Sequence, residues 1–291
     1  MRTARLLIIA AAIALLGTPA TAAEAQITYH HYVALGDSYT SGPFIPVQRL
    51  DPLGCGRSTN NYPSMLAAAL KVTGFTDRSC GSADTTNMTQ PQQVPLLGVN
   101  APQFSGLRSD TDLVTLGIGG NDFGLFSSLI TTCPALRASD PTGNPCQRHF
   151  TTNGVDTAKA AIANITPRIE AVLAGIHQRS PGADVFVVGY PRIAPPTGFC
   201  PNILPFADGD YAWLNGVEED LNAAIEDAAA NGNASFVDTY GPSLGHDACA
   251  TGGAAWINGQ HDKIFAAAAY HPYRAGMAGM AGIIRHHLSR F

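Results

Sequence analysis

The chain has 291 residues, 45% of them hydrophobic and 13% charged, with 17 Lys+Arg against 22 Asp+Glu for a net charge of −5. That balance, with no Lys/Arg cluster, offers nothing to a nucleic-acid backbone and excludes a polyanionic partner. The length and apolar share suit one α/β domain with a large core under a lightly charged surface.

Arg2 and Arg5, the apolar run Leu6–Leu16 and small residues through Ala25 read as an export signal over residues 1–25. The run is too short for a stable membrane span, so cleavage is expected, at Ala20-Thr21-Ala22 or Ala23-Glu24-Ala25. Residues 26–291 then form a single soluble domain, secreted and extracellular. His31–Leu35 is an apolar strand ending at Gly36, and Tyr62–Val72 is a helix with Pro63 in its first turn. Phe75–Ser79 is a second strand, and Leu113–Ile118 a third, closed by Gly119-Gly120. Thr157–Arg179 has helical periodicity with a break near Pro167; Val185–Val188 is a buried strand. Tyr211–Ala230 is an amphipathic helix closed by Asn231-Gly232, Ser235–Val237 a short strand, and Pro272 opens a last helix reaching almost to Phe291. Strands separated by helices imply right-handed crossovers, hence an α/β fold: a three-layer α/β/α sandwich around a central parallel sheet of about five strands. Ligands of such sheets gather outside the carboxyl ends of the strands.

The six cysteines, Cys55, Cys80, Cys133, Cys146, Cys200 and Cys249, favour three disulfides in an exported chain, among 15 conceivable pairings. No closely spaced Cys/His set suggests a metal site.

Three short motifs fall at element ends. Gly36-Asp37-Ser38-Tyr39 follows the first strand, where a glycine turn can lift a serine hydroxyl into the crevice; such residues also make ordinary polar turns. Gly119-Gly120-Asn121-Asp122 follows the third strand, and its asparagine can aim an N–H at a developing oxyanion, though the four residues would make a good loop on backbone grounds alone. His271-Pro272 precedes the last helix, and histidine is the natural acceptor for a serine proton near neutral pH. Gly241-Pro242-Ser243-Leu244-Gly245 imitates a nucleophile elbow, but Pro242 precedes the serine and too little chain remains for the strand–helix units that should follow.

With these motifs in this order, the chain resembles the SGNH (GDSL) hydrolase family, especially its secreted actinobacterial lipase/esterase branch, over nearly all of residues 32–291. The resemblance implies a flavodoxin-like fold and a secreted serine carboxylester hydrolase with no cofactor. Ser38 would be the nucleophile and His271 its base. The oxyanion hole would be the Ser38 N–H, the Asn121 side chain and a backbone N–H of Gly81 or Ser82. Two departures stand out. The family's Cys-Ser-Gly-Ala block reads Cys80-Gly81-Ser82-Ala83 here, so either Gly81 or Ser82 supplies that N–H. Where many members carry D-x-x-H-P, this chain has Ala268, so the carbonyl of Ala268 or Ala269 is expected to orient His271, with Asp262 as the rival. The resemblance also implies sequential bridges, Cys55–Cys80, Cys133–Cys146 and Cys200–Cys249.

His261 and His246 are competing bases, while His30-His31 and His286-His287 read as terminal polar positions. Phe123, Leu125, Phe126, Phe44 and Ile45 lie close to the motifs and suit either an acyl chain or core packing. Lipid esters are the favoured substrates, met as small molecules or in transient contact with a lipid surface, by a monomer. An acetyl-carbohydrate esterase, using Trp213 and Trp256 as platforms, is the rival of the same fold. A non-catalytic extracellular binding module is the rival of another class.

Overall fold

The computed structural model describes residues 28–94 and 97–290, so the export-signal reading at 1–25 lies outside the described residues. Strands β1 (His31–Gly36), β2 (Gly74–Asp77), β3 (Leu113–Gly117), β4 (Asp184–Val188) and β5 (Ser235–Val237) form one parallel sheet in the order β2-β1-β3-β4-β5. Successive side chains of a strand alternate faces, and here both faces are buried. Tyr32 and Ala34 join Phe186 and Val188 against Tyr62 and Leu66 of helix α2 (Tyr62–Leu70) and Met277 and Ile284 of helix α6 (Arg274–Leu288). Val33, Leu35, Val114 and Val185 pack against Ile169 and Leu173 of helix α4 (Thr166–Arg179) and Ile225 and Ala228 of helix α5 (Asp210–Asn231). The result is the expected α/β/α sandwich.

Local chemistry sets the helix limits. Asn61 caps α2 by accepting the Ser64 N–H, and Lys71 ends it in a left-handed conformation, two residues earlier than the periodicity suggested. The stretch 157–179 divides into Thr157–Ile162, capped by Asp156, and α4, with Pro167 in the first turn where its missing N–H costs nothing. The last helix begins at Arg274 rather than at Pro272. The segment before it is held extended, because the Asn258 N–H donates to the His271 carbonyl and the Tyr273 N–H to the Trp256 carbonyl. A further helix, α3 (Leu125–Leu136), was not legible: its Ser, Thr and Ile content and internal Pro134 give weak helix propensity, and packing overrides it.

The bridges Cys55–Cys80, Cys133–Cys146 and Cys200–Cys249 are formed. The first ties the loop after the Ser38 turn to the 80–83 block. No described helix is long and apolar enough to cross a membrane. The chain leaves β1 toward β2 on one side, whereas β3, β4 and β5 follow on the other. The carboxyl ends of β1 and β3, paired through Gly36 and Gly117, therefore border the point where the winding reverses.

Candidate active site

Gly36 closes β1 with φ of 153°. A Cβ there would stand 2.2 Å from Thr40 Oγ1 and 2.5 Å from the Gly117 carbonyl, so only glycine permits the turn. The Gln103 amide clamps both backbone groups of Gly36, at 2.8 and 2.9 Å. Asp37 donates its N–H to the Gly117 carbonyl, then caps the single-turn helix α1 (Ser38–Ser41) by accepting the Tyr39 N–H at 2.9 Å. Ser38 thus begins a helix at the mouth of the crevice, 7% exposed.

Asp37 is itself buried, and the loss of hydration pushes its carboxyl up to about 7, opposed by the Tyr190 hydroxyl and the Tyr39 N–H that it accepts. Tyr190 in turn accepts the Gly120 N–H at 2.8 Å, which joins the first motif to the third strand's loop. In that loop the buried Asp122 accepts from the Thr85 N–H, the Thr85 hydroxyl and Arg168. Asn121 is left facing the crevice beside Ser38, with its side-chain N–H donating to the Ala83 carbonyl at 2.9 Å.

His271 arrives from the opposite end of the chain. Its Nε2 lies 2.7 Å from Ser38 Oγ, and its Nδ1 lies 2.6 Å from the Ala269 carbonyl. A carbonyl can only accept, so Nδ1 carries the proton and Nε2 is free to accept one from the serine. The ring packs against Tyr39 and Phe126, with centroids 5.2 and 5.6 Å away. Burial holds its pKa below the usual 6.5, against the opposing pull of the Ala269 carbonyl and the Asp262 charge. Asp262 does not touch the ring: it accepts the Ala269 N–H at 2.8 Å. The Ala268 carbonyl is occupied by the side-chain amide of Asn258 and by the His271 N–H. Asn258, fully buried, also donates to the carbonyls of His261 and Ala267 and accepts the Tyr273 hydroxyl.

In the 80–83 block, the Gly81 N–H is taken by the Cys55 carbonyl at 2.8 Å. Ser82 adopts a left-handed φ of 62°, and neither its N–H nor that of Ser38 has an acceptor among the described residues. Beside Ser38 and Asn121 opens a pocket walled by Leu125, Phe126, Leu129 and Ile130 of α3 and by Leu214, Val217, Glu218 and Leu221 of α5. The spacing of the α5 set defines one helix stripe, apolar except for Glu218. Its carboxyl accepts the Ile193 N–H through both oxygens, and burial pushes it up to about 8.

The remaining candidates separate cleanly. Leu125 and Phe126 line the pocket, whereas Ile45 is core, Phe123 lies under the Arg168 guanidinium, and Phe44 is 38% exposed outside the lining. Trp213 is buried with its N–H on Asp156, and Trp256 is stacked on His246, so neither forms a platform at the crevice. His246 binds the Ala254 carbonyl and His261 is exposed on its loop. His31 pairs with Asp110, and His286 and His287 lie in the last turn of α6. Ser243 is fully buried between the Arg192 N–H and the Tyr240 carbonyl. Gln103, Tyr190 and Asn258 are parts of the site that sequence reasoning missed, and no local motif marks them.

A serine–histidine contact at the carboxyl edge of a doubly wound sheet, beside an apolar pocket, is the layout of a carboxylic ester hydrolase, and the comparisons with known proteins agree. Residues 34–278 match the family model of the GDSL-like lipase/acylhydrolase family. Lipase 2 of Streptomyces coelicolor is 42% identical over 253 residues, covering 84% of this chain and 82% of its own. The lipase of Streptomyces rimosus is 33% identical over 257 residues, covering 88% and 86%. Among solved structures, phospholipase A1 from Streptomyces albidoflavus superposes with a TM-score of 0.72 at 29% identity, over 89% of this chain and 99% of its own. The chain belongs to the GDSL-like lipase/acylhydrolase family.

Proposed function

We propose that this enzyme is a secreted, monomeric lipid-ester hydrolase that works through an acyl-enzyme on Ser38. The observation that carries the reading is the 2.7 Å contact between Ser38 Oγ and His271 Nε2 at the mouth of the apolar pocket. As Ser38 Oγ bonds to the acyl carbon, its proton passes to Nε2, and the imidazolium is held by the Ala269 carbonyl. The carbonyl oxygen becomes an oxyanion among the Asn121 amide and the N–H groups of Ser38 and Ser82, Gly81 being committed to Cys55. The C–O bond to the alcohol then breaks and His271 returns the proton to the leaving oxygen. In the second half His271 takes a proton from water as its oxygen bonds to the acyl carbon; the bond to Ser38 Oγ then breaks, His271 returns the proton to Ser38, and the acid leaves. The apolar walls favour a long acyl chain. Export through the segment 1–25 accords with the three disulfides.

An active-site phosphonate should label Ser38 of the wild type and leave Ser38→Ala unlabelled; an unlabelled wild type would favour a binding module. Long-chain p-nitrophenyl esters should then be turned over faster than acetylated xylan, and the reverse order would favour the carbohydrate esterase.

A further inference from the structure

Between Asp262 and Ala269 the chain folds into a tight hairpin, closed by the Lys263 N–H on the Ala267 carbonyl and the Ala267 N–H on the Lys263 carbonyl. Its base is rigid, because Asn258 binds the Ala267 and Ala268 carbonyls together with that of His261 just before it, and the Ala268 N–H reaches the Pro43 carbonyl. Its tip is bare. Ile264 is 69% exposed and Phe265 80%, making Phe265 the most exposed large apolar side chain among the described residues. Phe265 also holds a left-handed φ of 71°, which bulky side chains rarely adopt, and no packing within the chain offsets it.

From Ile264 to Tyr270 no residue is charged. The two charges at the hairpin base are solvent-exposed but tied to the chain behind the tip: Asp262 accepts the Ala269 N–H, and Lys263 donates to the Tyr273 hydroxyl at 2.6 Å. A cation and a tyrosine set behind an apolar tip is the arrangement that sits at a membrane–water boundary, with the amphipathic groups at headgroup level. The hairpin also ends at the residue whose carbonyl bonds His271, and Tyr270 lines the pocket. Phe44, beside Pro43, and Ile203, whose carbonyl accepts the Gln260 N–H, extend the apolar rim at 38% and 43% exposure.

We propose that the 262–269 hairpin is a lipid-surface anchor that inserts Ile264 and Phe265 among acyl chains and so brings the mouth of the pocket to an aggregated substrate. The proposal rests on the lipid-ester reading of the site. A protein partner fits the surface less well, because two protruding side chains fall far short of the roughly 800 Å² per partner of a stable interface. Acyl chains close around a protrusion of any shape. With a net charge of −5 and no free cation at the tip, insertion is apolar rather than electrostatic, and binds zwitterionic vesicles.

The test uses the full mature chain, the double variant Ile264→Ser/Phe265→Ser, and phosphatidylcholine vesicles, with binding read in a Ser38→Ala background so that the bilayer is not consumed. The double variant should lose vesicle partitioning by about tenfold or more. It should hydrolyse soluble p-nitrophenyl butyrate within about twofold of wild type. Phe265→Trp should retain binding and shift its fluorescence to the blue when vesicles are added. Undiminished partitioning of the double variant, an unshifted tryptophan, or binding abolished by salt would overturn the anchor. The readouts are separable: a protein that binds vesicles through the tip yet hydrolyses no ester defeats the catalytic reading alone. One that hydrolyses butyrate but ignores vesicles defeats the anchor alone.

Discussion

The turn that presents Ser38 and the loop that presents His271 face the same requirement, a side chain fixed to within a fraction of an ångström, and meet it by different means. The turn is built into the sheet edge: Gly36 leaves no room for a Cβ, and Gln103, Asp37 and Tyr190 are buried around it. The loop lies outside the sheet and is held by hydrogen bonds to its backbone, from the Asn258 side chain within, the Asp262 carboxylate on the solvent side, and the Pro43 carbonyl and Tyr39 hydroxyl where it meets the Ser38 turn. A group packed into a sheet edge is held by many contacts at once. A loop hangs on a few hydrogen bonds, and those can be removed one by one.

The largest separation expected is on the sheet side. Asn121→Ala should fold normally, because the backbone of its loop is held by Asp122 and Tyr190, yet lose about a hundredfold or more in kcat. Unchanged turnover would remove Asn121 from the oxyanion hole. On the loop side, Asn258→Ala removes at once the amide's hydrogen bonds to the His261, Ala267 and Ala268 carbonyls and to the Tyr273 hydroxyl, leaving Ala267 and Ala268 only the Lys263 and His271 N–H groups, and should destabilise the protein by about 2 kcal/mol. Its kcat should fall as well, with soluble-ester KM little changed. A variant as stable and active as wild type would mean that the loop is held by something other than this amide. Asp262→Ala should cost least, within about tenfold in kcat, since Asp262 binds the N–H of Ala269 and not the ring. A loss approaching that of His271→Ala would show that the carboxylate, rather than the carbonyl, supports the imidazolium.

The same contrast explains what could be read in the sequence. Ser38, Asn121 and His271 were legible because each is a reactive residue type placed at the end of a periodic element, and five strands show as apolar runs between helical stretches. Gln103 and Tyr190 were not, because their partners Gly36 and Asp37 lie 67 and 153 residues away and only the folded sheet brings them together. The choice between Ala268 and Ala269 was open for a similar reason. In a run of four alanines nothing local distinguishes the carbonyls, and the choice is made by Asn258 occupying that of Ala268. Ile45 and Phe123 show the converse: closeness to a motif in sequence did not place them in the pocket, because the sharp turns after Ser38 and Asn121 send them elsewhere.

The smallest expected effect tests the pocket that both halves of the site serve. Glu218 is the one carboxyl on the pocket stripe of α5, and burial raises it from 4.5 to about 8; Arg192 opposes this while Glu219 and Asp247 add to it. Below pH about 4.5 the group is neutral folded and unfolded alike, so its contribution to stability is fully present. As pH rises toward 8 the unfolded chain releases the proton while the folded one keeps it, and stability falls through that window. Glu218→Gln keeps an acceptor for the Ile193 N–H but cannot ionise, so its melting temperature should decline less between pH 5 and 9 than that of wild type. Activity should follow the acyl chain. Above pH about 8 an ionised carboxylate in an apolar wall disfavours long chains, so wild-type kcat/KM should fall for long-chain esters relative to butyrate, while in Glu218→Gln the ratio stays level. The acid limb, set by His271, should lie below pH 6.5 in both proteins, because burial lowers that imidazole wherever Glu218 titrates. A chain-length ratio that falls equally in both would place the alkaline effect outside the pocket.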